Sequence, residues 1–244
     1  MKKRMAAKSA YLSHPGLIRQ SNEDFILTDD TLGIYLLADG MGGHNAGEVA
    51  SEIAVKVAHT YLAARLSCGS DKKIPTLLSK AMHAAHKAIK TKARSDLSMM
   101  GMGTTLVEVI IRGIKAFICH TGDSRAYHYH DALRRITRDH TVGDYMLESK
   151  TLPRERIPEK QWHTLTQAVG VGAPPVHDFQ QMDIFSGDLL LLCSDGLTDM
   201  LTDEEIETII KNEDLNIDGI TKNLIEAANI KGGRDNISVV LVRI

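Results

Sequence analysis

The sequence contains few cysteines, almost no net charge and no long apolar run, and each of these shortages excludes a class of protein. Its 244 residues include three cysteines, Cys68, Cys119 and Cys193. Three thiols cannot all pair, and none belongs to a Cys-x-x-Cys motif, so neither a disulfide framework nor a zinc knuckle is indicated. This cysteine usage favours a reducing cytoplasm.

The charge balance and the apolar runs exclude two kinds of partner. The chain has 29 Lys and Arg against 31 Asp and Glu, a formal charge of −2, so it lacks the overall field that attracts nucleic acid or anionic membranes. Runs such as 189–193 are far shorter than the roughly 20 residues of a membrane span. The basic start, residues 1–4, precedes no apolar stretch and is interpreted as a solvated leader rather than a signal peptide.

The composition that is present is that of an ordinary globular protein. Hydrophobic residues make up 43% of the chain and charged residues 25%. We find no repeat, no low-complexity tract and no composition break. The sequence therefore predicts one domain over residues 1–244.

Two helices in series are predicted in the first half of the chain. Val49, Ile53, Val57 and Tyr61 recur every four residues, which predicts a helix over 45–66 with one buried stripe. A second helical pattern covers about 74–95.

The pattern then changes to strands. Runs at 104–111 and 114–120 are separated only by Arg112 and Gly113, which predicts a tight hairpin. A second strand pair is predicted at 125–130 and 133–136.

The last third of the chain mixes strands and helices. Continuous apolar runs at 188–193 and 237–242 predict central strands covered on both faces. Helices are predicted at 203–211, with Thr202 as N-cap and Glu205 three residues on, and at 218–229. Because strands and helices do not alternate regularly, the order favours an α+β fold with antiparallel sheets packed under helices.

One polar segment, at about 142–163, interrupts this order. It contains Pro153 and Pro158 and is long for a connection between strands. A segment of this length is more typical of a lid than of a linker.

Acidic residues stand at the ends of the predicted strands. Those residues are Glu23, Asp24, Asp39, Asp123, Asp195 and Asp235. Carboxylates gathered at the rims of apolar strands repel one another and resist desolvation unless a cation neutralises them. Oxygen ligands without a Cys or His cluster select Mg²⁺ or Mn²⁺ over Zn²⁺.

Several such acids can hold two ions about 3.5–4 Å apart, and a bridging water or hydroxide can then attack phosphorus. Glycines follow Asp39 and Asp195 and permit sharp turns, and the carbonyl of Gly40 can itself bind metal. A single Asp-Gly pair is more often only a turn. Several acids at strand ends together favour a metal site.

The order of the motifs resembles a known family. The matching segments are 19–24 (RQSNED), 39–44 (DGMGGH), 103–105 (GTT), 122–125 (GDSR), 139–140 (DH), 194–199 (SDGLTD) and 233–236 (GRDN). Across nearly the whole chain they resemble metal-dependent protein phosphatases of the PP2C type, most of all the bacterial single-domain members. The resemblance implies a four-layer α-β-β-α sandwich and a monomer that removes phosphate from phosphoserine and phosphothreonine in proteins, opposing a serine/threonine kinase.

The resemblance also implies a set of metal ligands. Asp39, Asp195 and Asp235 would bind the first ion. Asp39 and the Gly40 carbonyl would bind the second, which Asp24 or Glu23 would reach directly or through water. Asp123 with Asp195 would form a third, weaker site, and the segment 142–163 would be the flap beside the active site.

Two further residues receive catalytic roles. Arg19 resembles the phosphate-binding arginine of the family, and a guanidinium fork suits two phosphoryl oxygens. A surface ion pair with Glu23 is its alternative role.

The general acid is assigned to His44, because Met41 stands where animal members have a histidine. A helix-start or hydrogen-bonding role for His44 stays open, with a metal-held water as the proton donor in its place. His140 is interpreted as structural.

Two other functions fit parts of the sequence. The run from Cys119 to Arg125 matches Cys-x₂-Gly-x₂-Arg of cysteine-dependent phosphatases, but strand alternation follows it where that mechanism needs a helix. A non-catalytic phosphopeptide-binding module is the second alternative. Retention of the costly acids argues against it.

Overall fold

The structure is a computed structural model that describes residues 7–42, 46–66, 71–212 and 216–244. Two antiparallel sheets lie face to face, and helices cover the outer face of each. This arrangement confirms the predicted α+β, four-layer α-β-β-α sandwich.

Every strand pairing within the two sheets is antiparallel. The first sheet contains, in spatial order, β1 (Lys8–His14), β11 (Ile237–Arg243), β10 (Leu189–Cys193), β7 (Arg125–Tyr129) and β8 (Leu133–Arg135). The second sheet contains β2 (Asp24–Asp29), β3 (Ile34–Met41), β5 (Leu106–Arg112), β6 (Lys115–Thr121) and β9 (Asp178–Asp183), with the short β4 (Gly103–Thr104) paired to β3.

Seven α-helices are present in the described residues. They are α1 (Ala46–Leu66), α2 (Ile74–Ser95), α3 (Val142–Glu148), α4 (Glu159–Trp162), α5 (Asp195–Thr198), α6 (Asp203–Ile210) and α7 (Ile217–Ile230). The helices α1 and α2 pack on the second sheet, and α5 to α7 pack on the first. None of these described helices has the length and apolar character that crossing a membrane requires.

The core is divided into three layers of apolar contacts. Along β3, Leu36 packs toward α1 and α2, whereas the next residue, Leu37, packs between the two sheets. The strands β10 and β11 are likewise covered on both faces, by the second sheet and by the helices α5 to α7. Burial on both faces explains why their sequences are continuously apolar, and their predicted central positions are confirmed.

The helix predictions are confirmed within a residue or two. The helix predicted at 45–66 is observed from Ala46, and Asn45 lies outside the described residues. At the start of α6 the Thr202 side chain accepts the N–H of Glu205, and the Glu205 side chain accepts the N–H of Thr202. This reciprocal capping box is the one that the sequence predicted.

The turn of the β5–β6 hairpin is shifted by one residue from its prediction. Arg112 still pairs with Lys115, so the two turn residues are Gly113 and Ile114 rather than Arg112 and Gly113. Gly113 has φ +63° and occupies the first turn position, where a two-residue hairpin accepts glycine most readily.

Two edge strands were not predicted. Within the described part of the chain, β1 pairs only with β11, and β9 pairs only with β6. Most of their side chains are exposed or half-buried. An edge strand with solvent-exposed faces needs no alternation of apolar and polar residues. Hydrophobic periodicity therefore did not reveal either strand.

The two ends of the flap, residues 142–163, lie side by side where the segment leaves and rejoins the rest of the protein. Thr141 and Leu165 form an isolated β-bridge, and the N–H of Val142 donates to the carbonyl of Thr164 at 2.8 Å. Within the segment, α3 meets α4 where Trp162 packs so closely on Gly143 that a Cβ there would lie 2.7 Å from the indole ring. The flap is therefore a compact unit with its own packing.

One acidic side chain, that of Glu108, is buried among apolar residues of the core. Glu108 on β5 is fully buried opposite Leu36 and Cys119, and among the described residues its carboxylate meets no donor stronger than the Cys119 thiol. Burial raises the pKa of Glu108 well above its usual value. As the pH rises above about 4.3, the unfolded chain loses this proton and the folded protein retains it, so the free energy of unfolding falls.

We expect Glu108→Met to stabilise the protein by about 1–3 kcal/mol at pH 8, because methionine is similar in size to glutamate and removes a buried carboxyl group that lacks a strong hydrogen-bond donor. The gain should shrink toward pH 4, where the carboxyl is neutral in both states. Urea unfolding at several pH values, with chelator present, measures it. Glu226→Met on the exposed face of α7 is the control, and a pH-independent difference would contradict the assignment.

Candidate functional site

The acids predicted to bind metal meet at one end of the sandwich. Asp39 lies near the end of β3, Asp123 in the turn between β6 and β7, Asp195 at the start of α5 after β10, and Asp235 just before β11. All four line one open pocket. Residues up to 196 positions apart in the chain are thus brought together by the strand ends.

The strand registers explain this convergence. Asp24 on β2 is the direct partner of Asp39 on β3. In the other sheet, Cys193 pairs with Arg125, which places Asp195 beside the turn that carries Asp123. Because the two sheets pack face to face, the strand ends of both open into the same pocket.

Without a cation, the charged forms of the acids in the pocket are disfavoured. Burial, followed by repulsion from the neighbouring acids, raises the pKa values of Asp39 and Asp195 well above the usual value. Burial and the charge of Asp139 raise the pKa of Asp123 to about 7. Such carboxylates favour a bound proton or a cation over the free charged form.

The donor set fits divalent cations that prefer oxygen. The Oδ1 atom of Asp195 is buried and has no hydrogen-bond partner among the described residues. An unpaired buried carboxylate oxygen is costly unless an ion binds it. The carboxylates together provide the hard oxygen ligands that Mg²⁺ and Mn²⁺ prefer.

Glu23 and Asp24 differ in their access to the pocket. Glu23 lines it, whereas Asp24 is buried behind Asp39 and accepts a hydrogen bond from the Ser194 hydroxyl at 2.8 Å. Burial raises the pKa of Asp24 to about 6. The sequence left both residues open as ligands, and the structure separates them into a lining residue and a supporting one.

Gly40 occupies a position that only glycine fits. It lines the pocket, and its N–H donates to the carbonyl of Glu23 at 3.1 Å. A Cβ at Gly40 would lie 2.2 Å from the carbonyl oxygen of Gly47 in α1. The glycine therefore permits the end of β3 to pass close beneath the start of α1.

Arg19 lies at the edge of the pocket, 57% exposed. Its Nη2 donates to Asp235 Oδ2 at 2.6 Å. The ion pair is thus made with Asp235 and not with Glu23, the alternative partner considered from the sequence. His44, the predicted general acid, lies outside the described residues.

Three polar side chains, none of which had a predicted role, connect the acids to one another. The hydroxyl of Thr105 accepts the N–H of Asp39 at 2.9 Å and lies 2.7 Å from the hydroxyl of Ser124, next to Asp123. Asn236, beside Asp235, accepts the N–H of Glu23 at 2.8 Å. These bonds tie acid-bearing segments of the two sheets together.

Two further residues of the pocket had no predicted role. Asp199 follows Asp195 by one helical turn, and its side chain lies 3.5 Å from Nδ1 of His163 at the end of α4. The spacing of four between the aspartates is a signal that could have identified Asp199. No sequence pattern identifies His163, because its position depends on how the flap folds.

The cysteine alternative does not fit the structure. Cys119 is buried within β6, and burial raises the pKa of its thiol, so it has little thiolate. Arg125 donates to both oxygens of Asp139 at 2.7–3.1 Å and is not available to hold a phosphate. The match to the cysteine motif is therefore coincidental.

Comparison with known proteins places this geometry in a family. A model of the protein phosphatase 2C family matches residues 16–225. The serine/threonine phosphatase stp of Listeria innocua is 36% identical over 232 residues, which cover 93% of this chain and 92% of that protein.

Solved structures agree. The serine/threonine phosphatase of S. agalactiae superposes with a TM-score of 0.89 at 32% identity, covering 98% of this chain and 99% of that one. The catalytic domain of the phosphatase PstP, in complex with two manganese ions, superposes with a TM-score of 0.82 at 32% identity, covering 97% of each chain. The resemblance found in the sequence is therefore confirmed, and the chain belongs to the protein phosphatase 2C family of metal-dependent serine/threonine phosphatases.

Proposed function

We propose that this protein hydrolyses phosphoserine and phosphothreonine in protein substrates, using Mn²⁺ or Mg²⁺ held by the acids of the pocket. The observation that carries the proposal is the convergence of Asp39, Asp123, Asp195 and Asp235 on one open pocket. A phosphate group is repelled by such a pocket unless cations neutralise it. The same acids argue against a non-catalytic phosphopeptide-binding module.

The proposed ligand roles follow from access to the pocket. Asp39, Asp195 and Asp235 would hold one ion, and Asp39 with the Gly40 carbonyl and Glu23 would hold another. Asp24 would act from behind by orienting Asp39, and Asp123 with Asp195 would provide a third, weaker site. Bound at these residues, such ions would neutralise the carboxylates and would supply a water molecule nucleophilic enough at neutral pH for attack on phosphorus.

The remaining residues bind and orient the substrate. Arg19 lies beside Asp235 with N–H groups not used by that ion pair, which can donate to phosphoryl oxygens. Its position at the rim suits a group that captures the phosphate as it enters. Protonation of the departing serine or threonine oxygen is proposed for His44, on the basis of the sequence.

The cellular setting is also part of the proposal. The substrates are phosphoproteins, and we propose that the protein opposes a bacterial serine/threonine kinase in the cytoplasm. We further propose that residues 1–244 form one domain and act as a monomer. Phosphoproteomics after deletion of the gene would identify the targets, and light scattering would measure the mass in solution.

Asp39→Asn and Asp195→Asn should each lower the turnover of p-nitrophenyl phosphate by at least about 100-fold, because each variant removes a charged ligand. Steady-state kinetics at saturating Mn²⁺ measures the loss. Asp131→Asn is the matched control, since that side chain is 95% exposed. Near-normal rates in both pocket variants would refute the ligand assignment.

Arg19→Ala should raise KM about tenfold and lower kcat less, because the guanidinium binds phosphate before and during the reaction. Arg19→Lys should rescue only part of the effect, since an ammonium group lacks the planar fork. Arg94→Ala on the exposed surface of α2 is the control. Unchanged KM and kcat in Arg19→Ala would remove this residue from the site.

Cys119→Ser should retain most of the phosphatase activity, while a chelator should abolish it in both proteins. The reason is that the thiol is buried and protonated, whereas the acids need cations. Phosphate release with and without EDTA, followed by addition of excess Mn²⁺, separates the two mechanisms. The cysteine mechanism would be favoured if a folded Cys119→Ser protein lost its activity and the activity of the parent protein persisted in EDTA.

A further inference from the structure

Two groups of histidine and aspartate in the described residues have donor atoms close enough to share one cation. One group is His163, Asp195 and Asp199, and the other is His120, His140 and Asp178. In each group all donor atoms lie within 4.8 Å of one another. A cation with bonds of about 2.1–2.4 Å holds its ligands within about 4–5 Å, so both groups pass this first test.

The orientation of the rings excludes the second group. The rings of His120 and His140 are stacked, with centroids 4.8 Å apart and an angle of 18° between their planes. A ring nitrogen binds a metal in the plane of its ring, and two nearly parallel planes do not meet at one ion. Instead, Nδ1 of His140 accepts the N–H of Gly122 at 3.2 Å, and Nε2 of His120 bonds to the carbonyl of Arg138 at 2.7 Å. This group supports the turn that carries Asp123.

The first group has the features that the second lacks. Its three side chains line the open pocket, and the Oδ1 atom of Asp195 is buried without a partner. Asp195 begins α5, and Asp199 follows its last residue, so the two carboxylates lie on one side of a single turn. His163 approaches from α4 in the flap, with Nδ1 3.5 Å from Asp199 Oδ2.

We infer that His163 supplies an imidazole nitrogen to a divalent cation that it shares with Asp195 and Asp199, beside the two-ion centre. This inference rests on the proposed function and deepens it. The resemblance implied a weaker site with oxygen ligands only, from Asp123 and Asp195. The nitrogen of His163 makes the ligand set mixed.

The mixed set has a chemical consequence. Mg²⁺ binds oxygen ligands almost exclusively, whereas transition metals accept imidazole readily. The site with His163 therefore prefers Mn²⁺ to Mg²⁺. Because His163 belongs to the flap, whose ends are joined at Thr141 and Leu165, the same ion connects the flap to the acids of the sheets.

The experiment uses the full chain loaded with Mn²⁺ after removal of metals by chelator. Pulsed electron paramagnetic resonance on protein with ¹⁵N-labelled histidine detects nitrogen bound to Mn²⁺. We expect a ¹⁵N coupling in the parent protein that is lost in His163→Ala and retained in His83→Ala, an exposed histidine on α2. Titration of free Mn²⁺ should show about tenfold weaker affinity at the weakest site of His163→Ala.

A second variant tests the role of the nitrogen itself. His163→Asn places an amide oxygen near the position of Nδ1, so it should keep Mg²⁺ binding, lose the ¹⁵N coupling and lose the preference for Mn²⁺ at this site. A coupling that survives in His163→Ala, or equal Mn²⁺ affinities in the parent and His163→Ala proteins, would overturn the inference and leave a plain ion pair with Asp199.

The two proposals fail in different ways. Mn²⁺-dependent phosphate release without any ¹⁵N coupling from His163 would defeat this inference alone. Absence of both Mn²⁺ binding and phosphate release in the parent protein would defeat the proposed function as well.

Discussion

Repulsion among the carboxylates of Asp39, Asp123 and Asp195 is the constraint that this fold has to overcome. Burial, with repulsion from neighbouring acids, raises the pKa values of all three, so the pocket is costly to form in the absence of cations. Apolar packing offsets this cost, because three buried apolar layers hold the sheets and helices together. A bound cation then removes the repulsion, which couples metal binding to stability as well as to catalysis.

Rigid support is what turns a cluster of acids into a reactive site. Each acid lies at a strand end or in a tight turn, and hydroxyl and amide groups link the acids across the two sheets. Thr105 joins the backbone of Asp39 to Ser124, and Asn236 joins the strand of Asp235 to Glu23. Such links hold ligands at fixed distances, which metal-assisted attack on phosphorus requires. The loss of one link therefore affects geometry without removing a charge.

The sequence predicts those parts of the fold whose burial leaves a periodic pattern. The helices α1 and α2 were predicted because each buries one stripe of apolar residues. The central strands β10 and β11 were predicted because both of their faces are buried. The edge strands β1 and β9 were not predicted, since most of their side chains are exposed or half-buried. The acids were predicted from their place at strand ends, and Asp24 and Glu23 could be separated only once β2 was packed. His163 required the folded flap, and no local pattern encodes it.

A motif has meaning only in the element that carries it, and the turn after β6 shows why. Cys119, Gly122 and Arg125 have the spacing of a phosphate-binding loop, yet Cys119 is within a strand and Asp139 holds Arg125. The same turn instead presents Asp123 to the pocket, supported from behind by His140. The acids are thus fixed by strands and turns of the sandwich, while the flap is joined to the body by the bridge of Thr141 with Leu165 and by the ion pair of Glu148 with Arg138. Sequence change within the flap can therefore leave the acids in place, and His163 is the flap residue that meets Asp199 at the edge of the pocket.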